Sequence, residues 1–197
     1  MIDERIYEER RIAKENNIPI LRDKSFDLLN TLVAGFRPER VLEIGTAWGF
    51  TGISMLMSSP TSTLVGIEFN EDSYQKAKQN YIKFGVENRA KVFLGDAGEI
   101  LPILSGEFDF IFLDGPKGQY YQYLPHILSL LKKGGVIFAD NVIFNGYVTG
   151  ENTPKSKNKH NAIINSLRNY LKAVTEDKGL KTTVLDIEDG VAITVKL

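Results

Sequence analysis

Oxygen-bearing side chains stand where several apolar runs of the sequence end. Asp114 follows the run 108–113, and Asp140 with Asn141 follows the run 135–139. If both runs are parallel strands, these side chains lie at the carboxyl edge of a sheet, where open α/β sheets bind their ligands. Two carboxylates and one amide form an all-oxygen set that suits a hard cation such as Mg²⁺, with water or substrate completing the coordination. The sequence therefore predicts a divalent-cation site at Asp114, Asp140 and Asn141.

Lys117 follows Asp114 closely and has two interpretations. It can be an ordinary solvated lysine, or a general base beside the cation, because a nearby positive charge and desolvation lower the pKa of a lysine. The aspartates also have a structural alternative, since an aspartate after a strand commonly caps the next helix or forms a turn. The cation is favoured when the three oxygens are taken together, because neighbouring carboxylates repel each other unless a cation or protons intervene.

A second candidate site lies earlier, in the stretch Val41-Leu-Glu-Ile-Gly-Thr-Ala-Trp-Gly-Phe-Thr-Gly52. An apolar run ends at Gly45, and two further glycines precede residues at helical spacing, which is the pattern of a strand, a tight turn and a helix N-terminus. Glycine lets the backbone approach a ligand closely, and the free N–H groups of a helix start attract polar groups. Glu68 ends the next apolar run, where a carboxylate can accept hydrogen bonds from both hydroxyls of a ribose. The two features predict a nucleoside-containing cofactor.

The glycine spacing distinguishes two kinds of cofactor. Gly-x-x-x-Gly-x-x-Gly differs from the Gly-x-Gly-x-x-Gly/Ala of dinucleotide sites, so a pyrophosphate cradle and an NAD-linked dehydrogenase are disfavoured. Glu43 argues the same way, since a carboxylate repels phosphates but can receive an ammonium group directly or through water. S-adenosylmethionine has a ribose and an ammonium group and no phosphate, and it is the cofactor that we expect. The structural alternative is a plain turn between a strand and a helix.

An alternating order of strands and helices is needed to position these residues. After two helices at 6–16 and 23–36, the hydrophobic pattern predicts strands at 41–44, 63–68, 91–94, 109–113 and 135–139, separated by helices at 50–57, 71–84, 98–104 and 119–131. Such alternation is typical of a doubly wound α/β fold with a parallel sheet. Six polar residues would then meet at one rim of the sheet: Glu43, Glu68, Asp96, Asp114, Asp140 and Asn141.

The chain after Asn141 has a different pattern. The polar stretch 145–160 predicts a mobile surface loop, and a helix is expected over 161–177. Two β-rich runs at 181–187 and 191–195 are joined through Glu188-Asp-Gly190, which predicts an antiparallel hairpin. His126 and His160 are interpreted as structural or solvated residues, and three nearby tyrosines as packing or surface residues that could line a substrate mouth: Tyr120, Tyr121 and Tyr123.

Composition limits the classes of protein to consider. The 197 residues, 43% hydrophobic and with a formal net charge of −1, fit a single domain, 1–197, in which the helices of 1–36 cover the site. The charged start and the lack of a long apolar run predict no signal peptide, no membrane association and a cytoplasmic location. The absence of cysteine excludes disulfides, thiolate metal sites and cysteine nucleophiles. Near-neutral charge means that contact with nucleic acid requires a local patch.

Five motifs taken together resemble those of the metal-dependent S-adenosylmethionine O-methyltransferases of the catechol and caffeoyl-CoA type: Leu-Glu-Ile-Gly-Thr-Ala-Trp-Gly-Phe-Thr, Glu68, Gly95-Asp-Ala97, Asp114-Gly-Pro-Lys117 and Ala139-Asp-Asn141. The resemblance covers the chain from Ile18 onward. It implies a seven-stranded, Rossmann-like methyltransferase sheet whose last strand is antiparallel. It also implies Mg²⁺ or a similar ion on Asp114, Asp140 and Asn141, with Lys117 and Asp114 as the catalytic residues.

The same resemblance implies a cofactor site. Glu68 would bind the ribose, Asp96 and Ala97 would face the adenine, Gly45 and Thr51 would border the methionine part, and Leu21 would cover the cofactor. The full set of expected cofactor-binding residues is Leu21, Glu43, Gly45, Thr46, Thr51, Glu68, Asp96, Ala97 and Asp114.

Within that family, the segments 17–20, 116–120, 140–148 and 189–193 look closest to a bacterial branch. That branch includes the tRNA methyltransferase which converts wobble 5-hydroxyuridine to 5-methoxyuridine. The resemblance implies the anticodon region of tRNA as the favoured partner, a small catechol-like molecule as the alternative, and a homodimer. Two departures bear on this: the N-terminus is shorter by a helix, and a loop that is arginine-rich in the branch is here Lys155-Ser-Lys-Asn-Lys-His160. A rival of another class is a non-catalytic scaffold that binds the cofactor alone.

Overall fold

The computed structural model describes residues 3–16, 18–154 and 157–197, and the side chains at 157–159 lie outside the description. Within this part of the chain there are seven α-helices and the seven strands of a mixed sheet. The predicted seven-stranded α/β fold with a C-terminal antiparallel hairpin is confirmed. Contacts divide the chain into two compact units, 1–100 and 101–197. The single domain stays a prediction.

The first unit carries three parallel strands in the order β3-β2-β1. Its strands are β1 (Arg40–Ile44), β2 (Thr63–Glu68) and β3 (Ala90–Leu94), and its helices are α1 (Glu4–Glu15), α2 (Asp23–Phe36), α3 (Phe50–Ser58), α4 (Glu71–Lys83) and α5 (Ala97–Ile100). The parallel register pairs Ile44 with Ile67 and Glu68 with Leu94. The ends of the three strands therefore lie side by side, as expected for a parallel sheet that binds its ligands at the carboxyl edge.

Local sequence explains where the helices of this unit begin. The Asn70 side chain accepts a hydrogen bond from the Ser73 N–H at 2.9 Å, and Glu71 and Asp72 follow in the first turn of α4. An asparagine cap and early acidic residues stabilise a helix start. The helix predicted over 98–104 is shorter than expected, because α5 ends at Ile100 and a 3-10 turn, Leu101–Ile103, contains Pro102. The residue before a proline disfavours the α conformation.

The second unit carries four strands in the order β4-β5-β7-β6. Its strands are β4 (Phe108–Leu113), β5 (Leu131–Asp140), β6 (Leu180–Leu185) and β7 (Val191–Lys196), and its helices are α6 (Tyr120–Leu130) and α7 (Lys157–Glu176). β4 and β5 are parallel, whereas β7 is antiparallel to both β5 and β6. Phe110, Phe112 and Phe138 are among the buried side chains at the centre of this unit.

Two boundaries of the second unit, the starts of β5 and α7, differ from the sequence prediction by about one helical turn or more. β5 begins at Leu131 rather than 135. Gly134, with a φ of 78°, therefore lies within β5, at an irregularity where the pairing with β4 shifts register between Phe108 and Phe110. Glycine pairs suggest a turn, yet a glycine can equally allow an irregularity within a strand. α7 begins at Lys157 rather than 161. The polarity of that stretch predicts exposure to solvent, which a helix end satisfies as well as a loop does.

Residues 145–154 of the predicted 145–160 loop form turns and bends, and hydrogen bonds hold the segment to α7. Arg168 donates hydrogen bonds to the carbonyls of Val148 and Tyr147 at 3.0 and 3.2 Å, and Val148 is buried. Lys155 and Ser156 lie outside the described residues, so the mobility of the loop stays a prediction. Among the described residues no helix has the length and apolar character needed to cross a membrane.

Candidate functional site

Glu68 ends β2, and two backbone N–H groups fix its carboxylate. Oε2 accepts a hydrogen bond from the Ala47 N–H at 2.7 Å, and Oε1 accepts one from the Asn70 N–H at 2.8 Å. These bonds join Glu68 to the glycine loop after β1 and to the start of α4. A carboxylate oxygen can accept two hydrogen bonds, so each oxygen retains capacity for a ligand hydroxyl. The side chain is therefore already oriented as a pair of acceptors that fits the adjacent hydroxyls of a ribose.

The loop between β1 and α3 adopts a backbone suited to close approach by a ligand. Gly45 and Gly49 have φ values of 93° and 82°, and Ala47 between them has a φ of 48°. A Cβ added to Gly49 would also lie 2.9 Å from the Tyr81 ring. Gly49 precedes the first residue of α3 and caps that helix without a side-chain hydrogen bond. The strand, turn and helix start that the glycine pattern predicts are confirmed.

Other predicted cofactor residues lie in the loop and in the strand and helix that flank it. Glu43 is fully buried in β1, and the Tyr81 hydroxyl, whose pKa is raised by burial, donates to its Oε2 at 3.5 Å. Thr46 is buried too, and a Cβ added to Gly66 would lie 2.5 Å from its Oγ1. Thr51 is 9% exposed in the first turn of α3. All three side chains are buried, and their contact with a ligand stays a prediction.

Asp96, Ala97 and Leu21 also lie in the first unit. Asp96 accepts a hydrogen bond from the Gly98 N–H at 2.6 Å, so it has the capping role that the structural alternative gives an aspartate after a strand. Ala97 is the first residue of α5 and is buried. Leu21 is buried, and its carbonyl accepts a hydrogen bond from the buried Arg10 guanidinium at 2.7 Å. A role of these three residues in cofactor binding stays a prediction.

Phe69 is a candidate ligand contact that the sequence reasoning missed. It directly follows Glu68, and its side chain is 74% exposed, which is unusual for a phenylalanine. An exposed ring beside a carboxylate that fits a ribose can stack on a nucleobase. The sequence offers one signal for this, since the apolar run of β2 resumes at Phe69 after the acidic residue.

Asp140 is a buried acid of the second unit. It ends β5, is 3% exposed, and has its pKa raised to about 7 by burial and then by the negative charge of Asp114. The charge of Lys117 and a hydrogen bond from the Asn141 backbone lower the pKa in part. Leu113 pairs with Ala139 in the parallel register of β4 and β5, so Asp114 and Asp140 are the next residues on two neighbouring strands, and the charge of Asp114 acts on Asp140. The wider convergence of all six polar residues stays a prediction.

Lys117 forms an ion pair with Asp114. Its Nζ donates to Asp114 Oδ1 at 2.8 Å, and the two side chains are 25% and 21% exposed. A 3-10 turn, Lys117–Gln119, presents the lysine to the aspartate before α6 begins. The pair supplies positive charge to two neighbouring carboxylates. A general base acts in its unprotonated form, so the base role of Lys117 stays a prediction.

The backbone bends sharply after Asp140. Asn141, Phe144 and Asn145 have left-handed φ values of 57°, 50° and 55°. Asp189 fixes this bend through its carboxylate, which accepts the Asn145 N–H, and through its carbonyl, which accepts the Ile143 N–H at 2.9 Å. Unfavourable backbone conformations persist where tertiary bonds determine them, and they concentrate at functional sites. Asp189 is buried and contributes to the raised pKa of Asp140, a coupling that motif spacing does not reveal.

The chemistry of this donor set fits a divalent cation. Asp140 is a buried carboxylate beside a second carboxylate, and such a pair calls for protons or a positive partner. Among the residues that the structure describes, no three His, Cys, Asp or Glu side chains are grouped so as to hold a metal ion. Mg²⁺ is commonly held by one or two carboxylates together with water. The fit therefore depends on Asp114, Asp140 and the Asn141 amide oxygen, with water supplying other ligands.

Replacing Asp140 by asparagine is expected to stabilise the metal-free protein at alkaline pH. Folded Asp140 keeps its proton up to about pH 7, whereas the ordinary carboxyl loses it near 3.8. The free energy of unfolding therefore falls as the pH rises between these values, and the loss is complete above pH 7. Asparagine is uncharged and can accept the same Asn141 N–H. Asp140→Asn should raise Tm at pH 8 by about 3 °C or more, and by less at pH 5.

Thermal unfolding in a metal chelator at the two pH values measures this effect. Asp186→Asn, at an exposed aspartate before the hairpin turn, is the matched control and should leave Tm unchanged at both pH values. An equal gain for Asp140→Asn at pH 5 and pH 8 would show that the effect does not come from a buried charge.

Comparison with known proteins places the chain in a family. Residues 5–197 match the O-methyltransferase family model. Catechol O-methyltransferase of Mycobacterium tuberculosis is 31% identical over 78% of this chain and 68% of its own length. A Staphylococcus aureus structure, of a protein proposed to be a caffeoyl-CoA O-methyltransferase, has a TM-score of 0.90 and 30% identity over 98% of this chain and 93% of that one. The S-adenosylhomocysteine-bound methyltransferase PaMTH1 of Podospora anserina has a TM-score of 0.88 and 25% identity over 100% and 89%.

Proposed function

The chain belongs to the O-methyltransferase family, and we propose that this S-adenosylmethionine-dependent enzyme methylates a hydroxyl that has a second oxygen beside it, with a divalent cation such as Mg²⁺. The observation that carries the proposal is the burial of Asp140 beside Asp114. An acid whose pKa is raised by burial and by a second acid is typical of a functional site that binds a cation or transfers a proton. The Asp140→Ala experiment described in the Discussion tests it.

We assign cofactor binding to the first unit. Bound S-adenosylmethionine supplies an electrophilic methyl group on its sulfonium sulfur. Glu68 is assigned to the ribose hydroxyls, with its carboxylate kept in place by the Ala47 and Asn70 N–H groups. The glycine loop is assigned to the methionine part, Phe69 to a face of the adenine, and Asp96 and Ala97 to its edge. Orientation of this kind lowers the barrier by removing freedom of motion before the reaction.

We assign cation and acceptor binding to the second unit. Asp114, Asp140 and Asn141 would hold the ion, and its Lewis acidity would favour the ionised form of an acceptor hydroxyl. Lys117 keeps a positive charge at Asp114 Oδ1 and so offsets the repulsion between the two carboxylates. If the Lys117 ammonium group loses a proton during turnover, its Nζ can then accept the proton of the acceptor hydroxyl. The hydroxyl oxygen would gain the methyl group as the bond from that methyl to the sulfonium sulfur breaks, which leaves S-adenosylhomocysteine.

An aromatic cluster in the same unit favours a planar acceptor. The rings of Phe144, Tyr147 and His160 contact one another, with centroid separations of 5.6 to 5.9 Å. Phe144 and Tyr147 belong to the bend that follows Asp140 and Asn141. Aromatic side chains of this kind bind flat rings by stacking. A catechol and 5-hydroxyuridine are both flat, and each carries adjacent oxygens, O4 and O5 in the uridine.

Among these acceptors we propose wobble 5-hydroxyuridine of tRNA, which would become 5-methoxyuridine. The support is the resemblance of segments 116–120 and 140–148 to the bacterial tRNA-modifying branch, together with the aromatic cluster. The lysine-containing stretch 155–160 lies largely outside the described residues, so only its sequence supports this proposal. A small catechol is the second candidate, favoured by the M. tuberculosis relative that bears this name.

The two acceptors predict opposite responses to salt. Contacts with several phosphates release counterions, so kcat/KM for tRNA should fall at least about tenfold between 50 and 200 mM salt. A small neutral catechol makes no phosphate contact, and its kcat/KM should change little. Mass analysis of tRNA nucleosides after incubation with the cofactor identifies 5-methoxyuridine directly. If catechol is methylated while tRNA stays unmodified at every salt concentration, the tRNA proposal is rejected and the small-molecule proposal is retained.

Two further expectations from the sequence are proposals of the same kind. The first is that the chain forms a homodimer, and light scattering tests it by measuring the molecular mass of the purified chain in solution. The rival scaffold function predicts cofactor binding with no methylation of any acceptor and no response to divalent ions. Turnover of either acceptor excludes that rival.

A further inference from the structure

Tyr120 lies where β4 and β5 of the second unit end. It is the first residue of α6, and its side chain is fully buried. Its hydroxyl lies 3.1 Å from the carbonyl oxygen of Leu113 and 3.1 Å from that of Asp140. Burial raises the pKa of Tyr120 well above its ordinary value, so the hydroxyl keeps its proton and donates it. One donor is thus shared between the last residues of two neighbouring strands.

The two carbonyls belong to the residues that carry the acidic oxygens. Leu113 immediately precedes Asp114, and the other carbonyl is that of Asp140 itself. The last strand pair between β4 and β5 is Leu113 with Ala139, so the Asp140 carbonyl lies one residue beyond it. The phenol hydrogen bond extends the connection between the strands past this pair.

We propose that Tyr120 is a positioning residue for the cation site, in that its shared hydroxyl sets the separation of Asp114 and Asp140. The inference rests on the proposed divalent-cation function. Two carboxylates must approach within reach of one ion, although they repel each other. A hydrogen bond to the backbone beside each of them opposes that repulsion without occupying a carboxylate oxygen. Groups that orient the ligands of a metal commonly affect its affinity by 10- to 100-fold.

A matched control lies beside Tyr120. The ring of Tyr170 in α7 packs edge to face against that of Tyr120, with the centroids 5.7 Å apart. Tyr170 is equally buried, and its hydroxyl has no hydrogen-bond partner among the described residues. Tyr120→Phe and Tyr170→Phe therefore each remove one buried hydroxyl from the same aromatic pair. Only the first removes hydrogen bonds to the two strand ends.

Binding of Mn²⁺ to the full chain, followed by electron paramagnetic resonance, tests the inference. Mn²⁺ takes the same oxygen ligands as Mg²⁺ and can be detected without turnover. Tyr120→Phe should weaken Mn²⁺ binding about tenfold or more, whereas Tyr170→Phe should leave it unchanged. Binding of S-adenosylhomocysteine should be unaltered in both variants. Unchanged Mn²⁺ affinity in folded Tyr120→Phe would overturn the role of Tyr120.

4-Aminophenylalanine at position 120 supplies the rescue. Its amine carries two N–H donors, one for each carbonyl, so Mn²⁺ affinity should return to the wild-type value or exceed it. This variant also serves if Tyr120→Phe fails to fold, and weakened binding in it would overturn the inference. Failure of the proposed function has a different signature, because the wild-type protein itself would then bind no Mn²⁺. That result would overturn both the cation site and the role of Tyr120.

Discussion

Asp140→Ala is expected to abolish methyl transfer while leaving S-adenosylmethionine binding intact. Asp140 is buried at the end of β5 next to Asp114, whereas the residues assigned to the cofactor ribose lie in the first unit. A bound cation provides several kcal/mol of charge stabilisation in a transition state, which corresponds to about a thousandfold in kcat. Removing a principal ligand should cost that much. The same substitution leaves every residue assigned to the cofactor unchanged.

Methyl transfer from radiolabelled cofactor and calorimetric binding of S-adenosylhomocysteine measure the two effects separately. Asp186→Ala, at an exposed aspartate, is the control and should behave like the wild type in both assays. If Asp140→Ala methylates its acceptor at a near wild-type rate without added metal, the cation mechanism is wrong. If it loses cofactor binding as well, Asp140 has a structural role that the proposal does not include.

Glu68→Gln is expected to weaken cofactor binding about a hundredfold. Glutamine has the same shape, but its amide NH₂ would face one of the two backbone N–H groups that now donate to Glu68. It also offers one acceptor oxygen where the ribose requires two. Hydrogen bonds to a charged group contribute about 1.5–3 kcal/mol each, and a loss of about 3 kcal/mol corresponds to roughly a hundredfold in Kd.

Calorimetry with S-adenosylmethionine tests the Glu68 prediction, and Glu71→Gln, at the exposed first residue of α4, is the matched control. Mn²⁺ binding should be unchanged in both variants, since Glu68 is not one of the residues assigned to the cation. Wild-type affinity in Glu68→Gln would show that the ribose is bound elsewhere.

The regular part of the fold could be predicted from the sequence because local pattern determines it. β2 spans Thr63–Glu68 as predicted, since its apolar residues run up to an acidic strand end, and α4 begins where Asn70 and two acidic residues indicate a cap. The start of β5 could not be predicted in this way. Gly134 and Gly135 have the composition of a turn, and only pairing with β4 places them within a strand.

The candidate site was predictable to the level of residue type and strand end. Asp114 and Asp140 come together because neighbouring parallel strands finish at one edge, and Lys117 reaches Asp114 across one turn of chain. The bonds that orient the site come from residues remote in sequence. The Ala47 N–H fixes the carboxylate of Glu68, and the Tyr120 hydroxyl joins the carbonyls of Leu113 and Asp140. Neither contact can be predicted from the spacing of the motifs.

The central claim is that Asp114, Asp140 and Asn141 meet around one ion. Crystals of the wild-type protein grown with S-adenosylhomocysteine and Mn²⁺, with data collected near the manganese absorption edge, test this claim directly. We expect one anomalous peak in contact with a carboxylate oxygen of Asp114, a carboxylate oxygen of Asp140 and the Asn141 amide oxygen. A peak at other side chains, or Asp114 and Asp140 directed into separate cavities, would contradict it.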